Sequence, residues 1–203
     1  MTVHDREFFV SLVCFLLFAI LGVAIIYRPR VLWDVHAKYF LKQSTPVALF
    51  FTRSGRSRQL LAGYTAAVII YMVAHLNVWV PLVMALSQIT SQMVVEAFKL
   101  VYKRVRPDYF LHQLDKGRSY PSGHATTAVV SYVGWALIAA HSALPHDVKW
   151  AIAGALVVWA MAIDWSRLAL GAHYFSDVFG GTLFGTAWLC AILGFSGNLL
   201  LTP

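Results

Sequence analysis

Charge is what this sequence has least of. Only 12% of its 203 residues are Asp, Glu, Lys or Arg, where a soluble domain carries about a quarter. Acidic side chains are scarcest, 9 against 16 Lys and Arg, which leaves a formal net charge of +7. Cysteine is nearly missing. Cys14 and Cys190 both sit inside apolar runs, which excludes a disulfide framework or a cysteine metal site and leaves them as small packing residues. There is no internal repeat and no low-complexity tract. The basic n-region of a cleaved signal peptide is also absent, because Asp5 and Glu7 precede the first apolar run. The run itself, Phe8 to Tyr27, is longer than a signal core and reads as a retained membrane helix.

What is abundant is hydrocarbon: 59% of the residues are hydrophobic. A span needs about 20 mostly apolar residues. That length predicts an all-α, polytopic membrane protein built as a six-transmembrane-helix bundle, with spans at 8–27, 60–75, 78–102, 122–140, 150–167 and 176–200. Residues 1–203 form one transmembrane domain in this reading. The stretch from Leu60 to Leu100 is split at His75–Asn77, with Pro81 just inside the next helix. Trp79 and Trp150 lie near span ends, as in an aromatic belt. Between the first two spans, 28–58 mixes seven cations with Leu32, Trp33, Val35, Tyr39, Phe40 and the run Val47 to Phe51. This predicts an amphipathic segment lying in the interface. The cations flank apolar runs, so the expected partners are membrane lipids and a phosphorylated lipid, with no nucleic acid.

Polar residues gather in three places. The first is Glu96, Lys99, Lys103, Arg104, Arg106, Pro107 and Asp108. The second is Tyr120 to His124. The third is Asp164, Ser166, Arg167, His173 and Asp177. Counting crossings puts all three at one membrane surface. Ionisable groups there are costly and mark function. Lys99 and Arg106, seven apart, share a helix face, and Pro107 predicts that the helix ends at Arg106. With Arg167 they make a phosphate clamp, bidentate from Arg and a point charge from Lys. Pro121 to His124 reads as a helix start, with the N–H groups of Ser122 and Gly123 aimed at an anion. His173 and Asp177 are one turn apart if helical. Asp177 accepts a hydrogen bond from Nδ1–H and leaves Nε2 free to attack phosphorus. His124 across the site protonates the leaving oxygen and later activates water. No metal and no cofactor are needed.

Lys99-(six residues)-Arg106-Pro107, Pro121-Ser122-Gly123-His124 and Ser166-Arg167-(five residues)-His173-(three residues)-Asp177 resemble the tripartite signature of the type 2 phosphatidic acid phosphatase superfamily. All three parts are present in order, over residues 99–177. The resemblance implies a membrane lipid phosphatase working through a phosphohistidine. It makes His173 the nucleophile, His124 the acid and Asp177 the partner. Lys99, Arg106 and Arg167 bind phosphate, assisted by Ser122 and Gly123. Candidate substrates are undecaprenyl diphosphate, phosphatidylglycerophosphate, phosphatidic acid and lipid A phosphates, with a slight preference for a prenyl diphosphate. The competing functions are a transporter or flippase that binds the phosphorylated headgroup without hydrolysis, a vanadate-type haloperoxidase relative, and a metal triad of His124, His173 and Asp177. His75, His112, His141 and His146 read as packing or interfacial residues. Glu96–Lys99 and Asp164–Arg167 are expected as helix pairs. Lys103, Arg104, Lys116 and Arg118 are expected as a solvated or headgroup-facing set. The protein is placed in the inner membrane. Nearly all Lys and Arg lie on the active-site side, which by the positive-inside rule puts that side in the cytoplasm. The resemblance implies the outer face instead, and that face is adopted.

Overall fold

Apolar runs of helix length, with few breakers inside them, leave the chain one economical way to satisfy its backbone in hydrocarbon. The computed structural model is accordingly all-helical over the residues it describes, 3–28, 34, 45–107 and 117–201. The helices in chain order are α1 (Val3–Tyr27), α2 (Thr45–Ser54), α3 (Ser57–Val73), α4 (Trp79–Tyr102), α5 (123–141), α6 (His146–Ala169) and α7 (Phe175–Leu200). The middle of α5, Ala128–Val133, is wound as a π-helix between two α-helical pieces. Four helices, α1, α4, α6 and α7, are long and apolar enough to cross a membrane, and α3 is apolar but shorter.

The described residues form seven helices beside the six expected spans, and four of the seven are long and apolar enough to span. Each expected span falls on a helix. The addition is α2, a ten-residue helix carrying the run Val47 to Phe51, which belonged to the expected interfacial segment. Leu32, Trp33, Val35, Tyr39 and Phe40 lie outside the described residues, as do Asp108, His112 and Lys116.

Local sequence sets the breaks. His75 takes a left-handed conformation (φ 55°), and the N–H of Leu76 closes back on Tyr71 O at 2.8 Å. The side chain of Asn77 then accepts the N–H of Trp79 at 3.1 Å, and Pro81 occupies the first turn of α4, where a missing N–H costs nothing.

Packing is made close by small residues. A Cβ on Gly181 of α7 would stand 2.4 Å from the backbone oxygen of Ser122, and one on Gly180 2.4 Å from the Tyr120 ring. On α1, Ser11 Oγ donates to Ala187 O of α7 at 2.7 Å. Phe18 of α1 stacks on Tyr120 at 5.7 Å and meets Phe98 at 4.9 Å and Phe184 at 5.4 Å. Deeper in the bundle, Gln88 of α4 donates to Thr127 Oγ1 and accepts from Ser131 Oγ, both at 2.9 Å. Tyr64 of α3 meets Ser131 at 2.8 Å, so one satisfied polar chain joins α3, α4 and α5 where water is scarce.

Candidate active site

The C-terminal ends of α4 and α6 and the N-terminal ends of α5 and α7 meet around one cavity of about 580 Å³. Lys99, Arg106, Gly123, His124, Arg167 and His173 all line it. Residues from each of the three sequence clusters thus line one cavity. Ser122 and Asp177 lie behind this lining and are fully buried.

Lys99 comes from the last turn of α4 and holds Glu96 at 2.7 Å, the expected i, i+3 pair. The helix stops before Arg106. Lys103 turns left-handed (φ 51°), and its N–H bonds to Lys99 O. The predicted end at Arg106 is therefore moved back to Tyr102, and Arg106 reaches the cavity from non-helical chain. Its Nη1 donates to Ala172 O at 2.7 Å and lies 3.2 Å from His173 Nε2.

The start of α5 is seated by glycine and glutamine. Gln92 Nε2 donates to Gly123 O at 3.2 Å. A Cβ at residue 123 would stand 2.9 Å from Gln92 Oε1 and 3.8 Å from Lys99 Nζ. Ser122 Oγ caps the helix by accepting from Ala125 N at 3.4 Å. The N–H of Ser122 donates to Asp177 O at 3.0 Å. The expectation that it faces an anion is corrected: that group holds α5 to α7 instead. His124 packs against the turn between α2 and α3, its Cδ2 2.9 Å from where a Gly55 Cβ would be.

Arg167, in the last turn of α6, is buried and donates from Nη1 to Thr52 Oγ1 of α2. α2 is clamped to α6 by Phe51 against Trp159 at 5.0 Å and by Trp159 Nε1 donating to Ser54 Oγ at 2.9 Å. This short helix, within the expected interfacial segment, therefore supports a phosphate-binding candidate. Asp164, further back on α6, accepts from Thr182 at 3.2 Å.

His173 is in the turn before α7, ahead of the N-cap Tyr174. The helical relation expected for His173 and Asp177 does not hold, yet the two meet, with Nδ1 3.5 Å from Oδ2. The reason is capping: Asp177 at N3 reaches back to accept the N–H of Tyr174 at 2.9 Å, which leaves the same oxygen facing the imidazole.

Sequence reasoning missed two residues. Arg104, expected in a solvated set, is buried and donates to Asp177 Oδ1 at 2.5 Å, Ser176 Oγ at 2.7 Å and Asp34 Oδ2 at 2.7 Å. Its guanidinium lies 4.3 Å from the Tyr174 ring centre. Asp34, also buried, accepts from Ser176 N at 3.1 Å and Ser176 Oγ at 2.9 Å. A signal for Arg104 was present. Pro107 forces an extended residue before it, and in extended chain Arg104 shares a face with Arg106. Val105 between them is 77% exposed. Tyr120, just behind the site, has its phenol pushed up by burial and remains a donor, to Phe18 O at 3.1 Å. Among the described residues no three His, Cys, Asp or Glu side chains group as a metal would require.

Comparison with known proteins finds relatives in sequence and in fold. A model of the PAP2 superfamily matches residues 76–200. The chain is 30% identical over 132 residues to phosphatidylglycerophosphatase B of Bacillus subtilis, covering 63% of this chain and 64% of that protein. It is 27% identical over 157 residues to the lipid A 1-phosphatase of Rhizobium johnstonii, covering 71% of this chain and 57% of that protein. The matched segments thus span less than two thirds of either relative. The crystal structure of a transmembrane PAP2-type phosphatidylglycerolphosphate phosphatase from Bacillus subtilis superposes with a TM-score of 0.76 at 27% identity. It covers 93% of this chain and 96% of that one.

Proposed function

The chain belongs to the PAP2 superfamily, and on that premise we propose that it is an integral-membrane phosphatase that cleaves a phosphomonoester or diphosphate from a lipid through a phosphohistidine. The observation that carries this reading is the setting of His173. Its Nδ1 faces the Asp177 carboxylate at 3.5 Å, its Nε2 faces the guanidinium of Arg106 at 3.2 Å, and the ring lines a cavity shared with Lys99, His124 and Arg167. An imidazole held that way carries its proton on Nδ1 and its lone pair on Nε2.

Arg106 satisfies that lone pair until a phosphate oxygen draws the guanidinium away. Nε2 then attacks phosphorus in line. A P–N bond forms, the P–O bond to the lipid breaks, and His124 gives its proton to the leaving oxygen. Water next attacks the phosphohistidine, His124 takes the water's proton, and phosphate leaves as His173 is restored. Arg106, Arg167 and Lys99 hold the equatorial oxygens, and the N-terminus of α5 adds its dipole. No step calls for a metal.

Both named relatives act on lipid phosphates, as their names state. The substrate class is therefore a lipid such as phosphatidylglycerophosphate, phosphatidic acid or undecaprenyl diphosphate. The cavity faces the outer side of the inner membrane in this reading, as the family resemblance implies.

The test is phosphate release in detergent, with EDTA present, from those three lipids, wild type beside His173→Ala. Release by wild type alone is expected. Release that vanishes with EDTA would remove the metal-independent mechanism. Headgroup binding without release by wild type would point to a transporter.

A further inference from the structure

Asp34, Arg104, Asp177 and His173 form a continuous charged chain that ends on the candidate nucleophile. All four side chains are ionisable and buried: Asp34 is 3% exposed, Arg104 4%, Asp177 0% and His173 2%. Buried charges persist only when paired and hydrogen-bonded. The pairing here is directional. Arg104 takes Oδ1 of Asp177 and leaves Oδ2 for Tyr174 N–H and the His173 ring. The other guanidinium nitrogen takes Asp34, and Asp34 is locked in turn by Ser176 N–H and Oγ.

The charges settle what this does. Arg104 with Asp177 alone would sum to zero, and the carboxylate would pull only weakly on the imidazole. With both carboxylates ionised, Asp34 returns the group to a net −1, which favours positive charge on the neighbouring imidazole.

We propose that Arg104 and Asp34 are positioning residues for the reaction: Arg104 fixes the Asp177 carboxylate on its Oδ2 side toward His173, and Asp34 offsets Arg104 so that Asp177 keeps His173 basic. The proposal rests on the reading of His173 as nucleophile given above. Other charges also face His173. Arg106 is in contact with it, and Lys99 of α4, His124 of α5 and Arg167 of α6 share its cavity. Glu96 of α4, Arg56 of the α2–α3 turn and Arg118 of the chain before α5 line the same cavity. All of them are unchanged when Asp34 alone is altered.

Asp34→Asn keeps the shape and one acceptor oxygen while removing the charge. Taking away a negative charge disfavours the imidazolium. The acidic limb of the kcat/KM profile, which reports loss of the neutral nucleophile, should therefore move to lower pH by roughly one unit. kcat should fall about tenfold with KM little changed, because the nucleophile is weaker and the phosphate contacts are intact. Asp34→Glu keeps the charge and should keep the wild-type limb.

The measurement is the pH profile of phosphate release from phosphatidylglycerophosphate in detergent for wild type, Asp34→Asn and Asp34→Glu. Asp34→Ser replaces the first variant if it does not fold. A neutral variant with the wild-type acidic limb overturns the proposal, whatever its kcat. Failure of both neutral variants to accumulate while Asp34→Glu does assigns Asp34 to the fold, and overturns it as well. His173→Ala is assayed alongside. Activity surviving in that variant removes the nucleophile reading itself, independently of what Asp34 does.

Discussion

Asp177 touches all three parts of the signature at once. Its side chain takes Arg104 near the first part, its carbonyl takes Ser122 N–H of the second, and its Oδ2 faces His173 of the third. Asp177→Asn should separate these roles. The backbone link and one acceptor oxygen survive, but an NH2 group now meets either the Tyr174 N–H and the His173 Nδ1–H or the Arg104 donors. The favoured tautomer is lost, and kcat should drop by about four orders of magnitude with KM little changed, by analogy with the protease aspartate that orients its histidine. Steady-state kinetics in detergent would check it, and a loss confined to KM would refute it. At this scale the sequence was legible where residue type and spacing were both distinctive: the cavity collects Lys99, Arg106, His124, Arg167 and His173. It was only half legible at Arg104: the alternation before Pro107 puts it on the face of Arg106, but only the fold shows that this face is buried. Asp34 is separated from its partners by 70 residues or more, and no local pattern links it to them.

Helices were legible where length and apolarity agreed, so α1, α4, α6 and α7 stand where the runs place them. α2 was not, because ten residues with Arg53 at their end look the same on a membrane surface as against a partner helix. Its contacts with Trp159 and Arg167 decide the matter. The glycines of α7 carry a second message that composition hides. Gly181 lies where a Cβ would stand 2.4 Å from Ser122 O, which is backbone and cannot swing aside, whereas Gly197 on the same helix has nothing within 4 Å. Gly181→Ala should therefore push the start of α5 away and destabilise by about 1–3 kcal/mol. Phosphate release should fall with it, because His124 moves with α5. Gly197→Ala should be neutral or slightly stabilising through its helix propensity. Thermal unfolding in detergent, with activity measured on the same samples, distinguishes the two. Equal behaviour would mean that the α5–α7 contact is softer than its geometry implies.

For the whole molecule, the sequence sets two arguments against each other over which face of the membrane holds the site. Lys and Arg crowd the site end, and the positive-inside rule reads such crowding as cytoplasmic. That rule describes loop charges that resist translocation, and part of the crowd is of another kind. Arg104 is held in a buried double ion pair, Arg167 is buried against Thr52, Arg106 is bonded to Ala172 and His173, and Lys99 is paired with Glu96. Subtracting these narrows the bias without reversing it, because Lys103, Arg53, Arg56 and Arg118 remain at that end. A lipid phosphatase that attracts anionic headgroups has its own reason to keep cations at the rim of its cavity, so charge counting alone is a poor judge here. Labelling is a better one. Val105, 77% exposed, marks the site end. Asp147, fully exposed in the first turn of α6, marks the opposite end. In a Cys14→Ser, Cys190→Ser background, a membrane-impermeant maleimide should modify Val105→Cys in intact cells and Asp147→Cys only after permeabilisation. The reverse pattern would put the cavity in the cytoplasm, and its substrate would then be drawn from the inner leaflet.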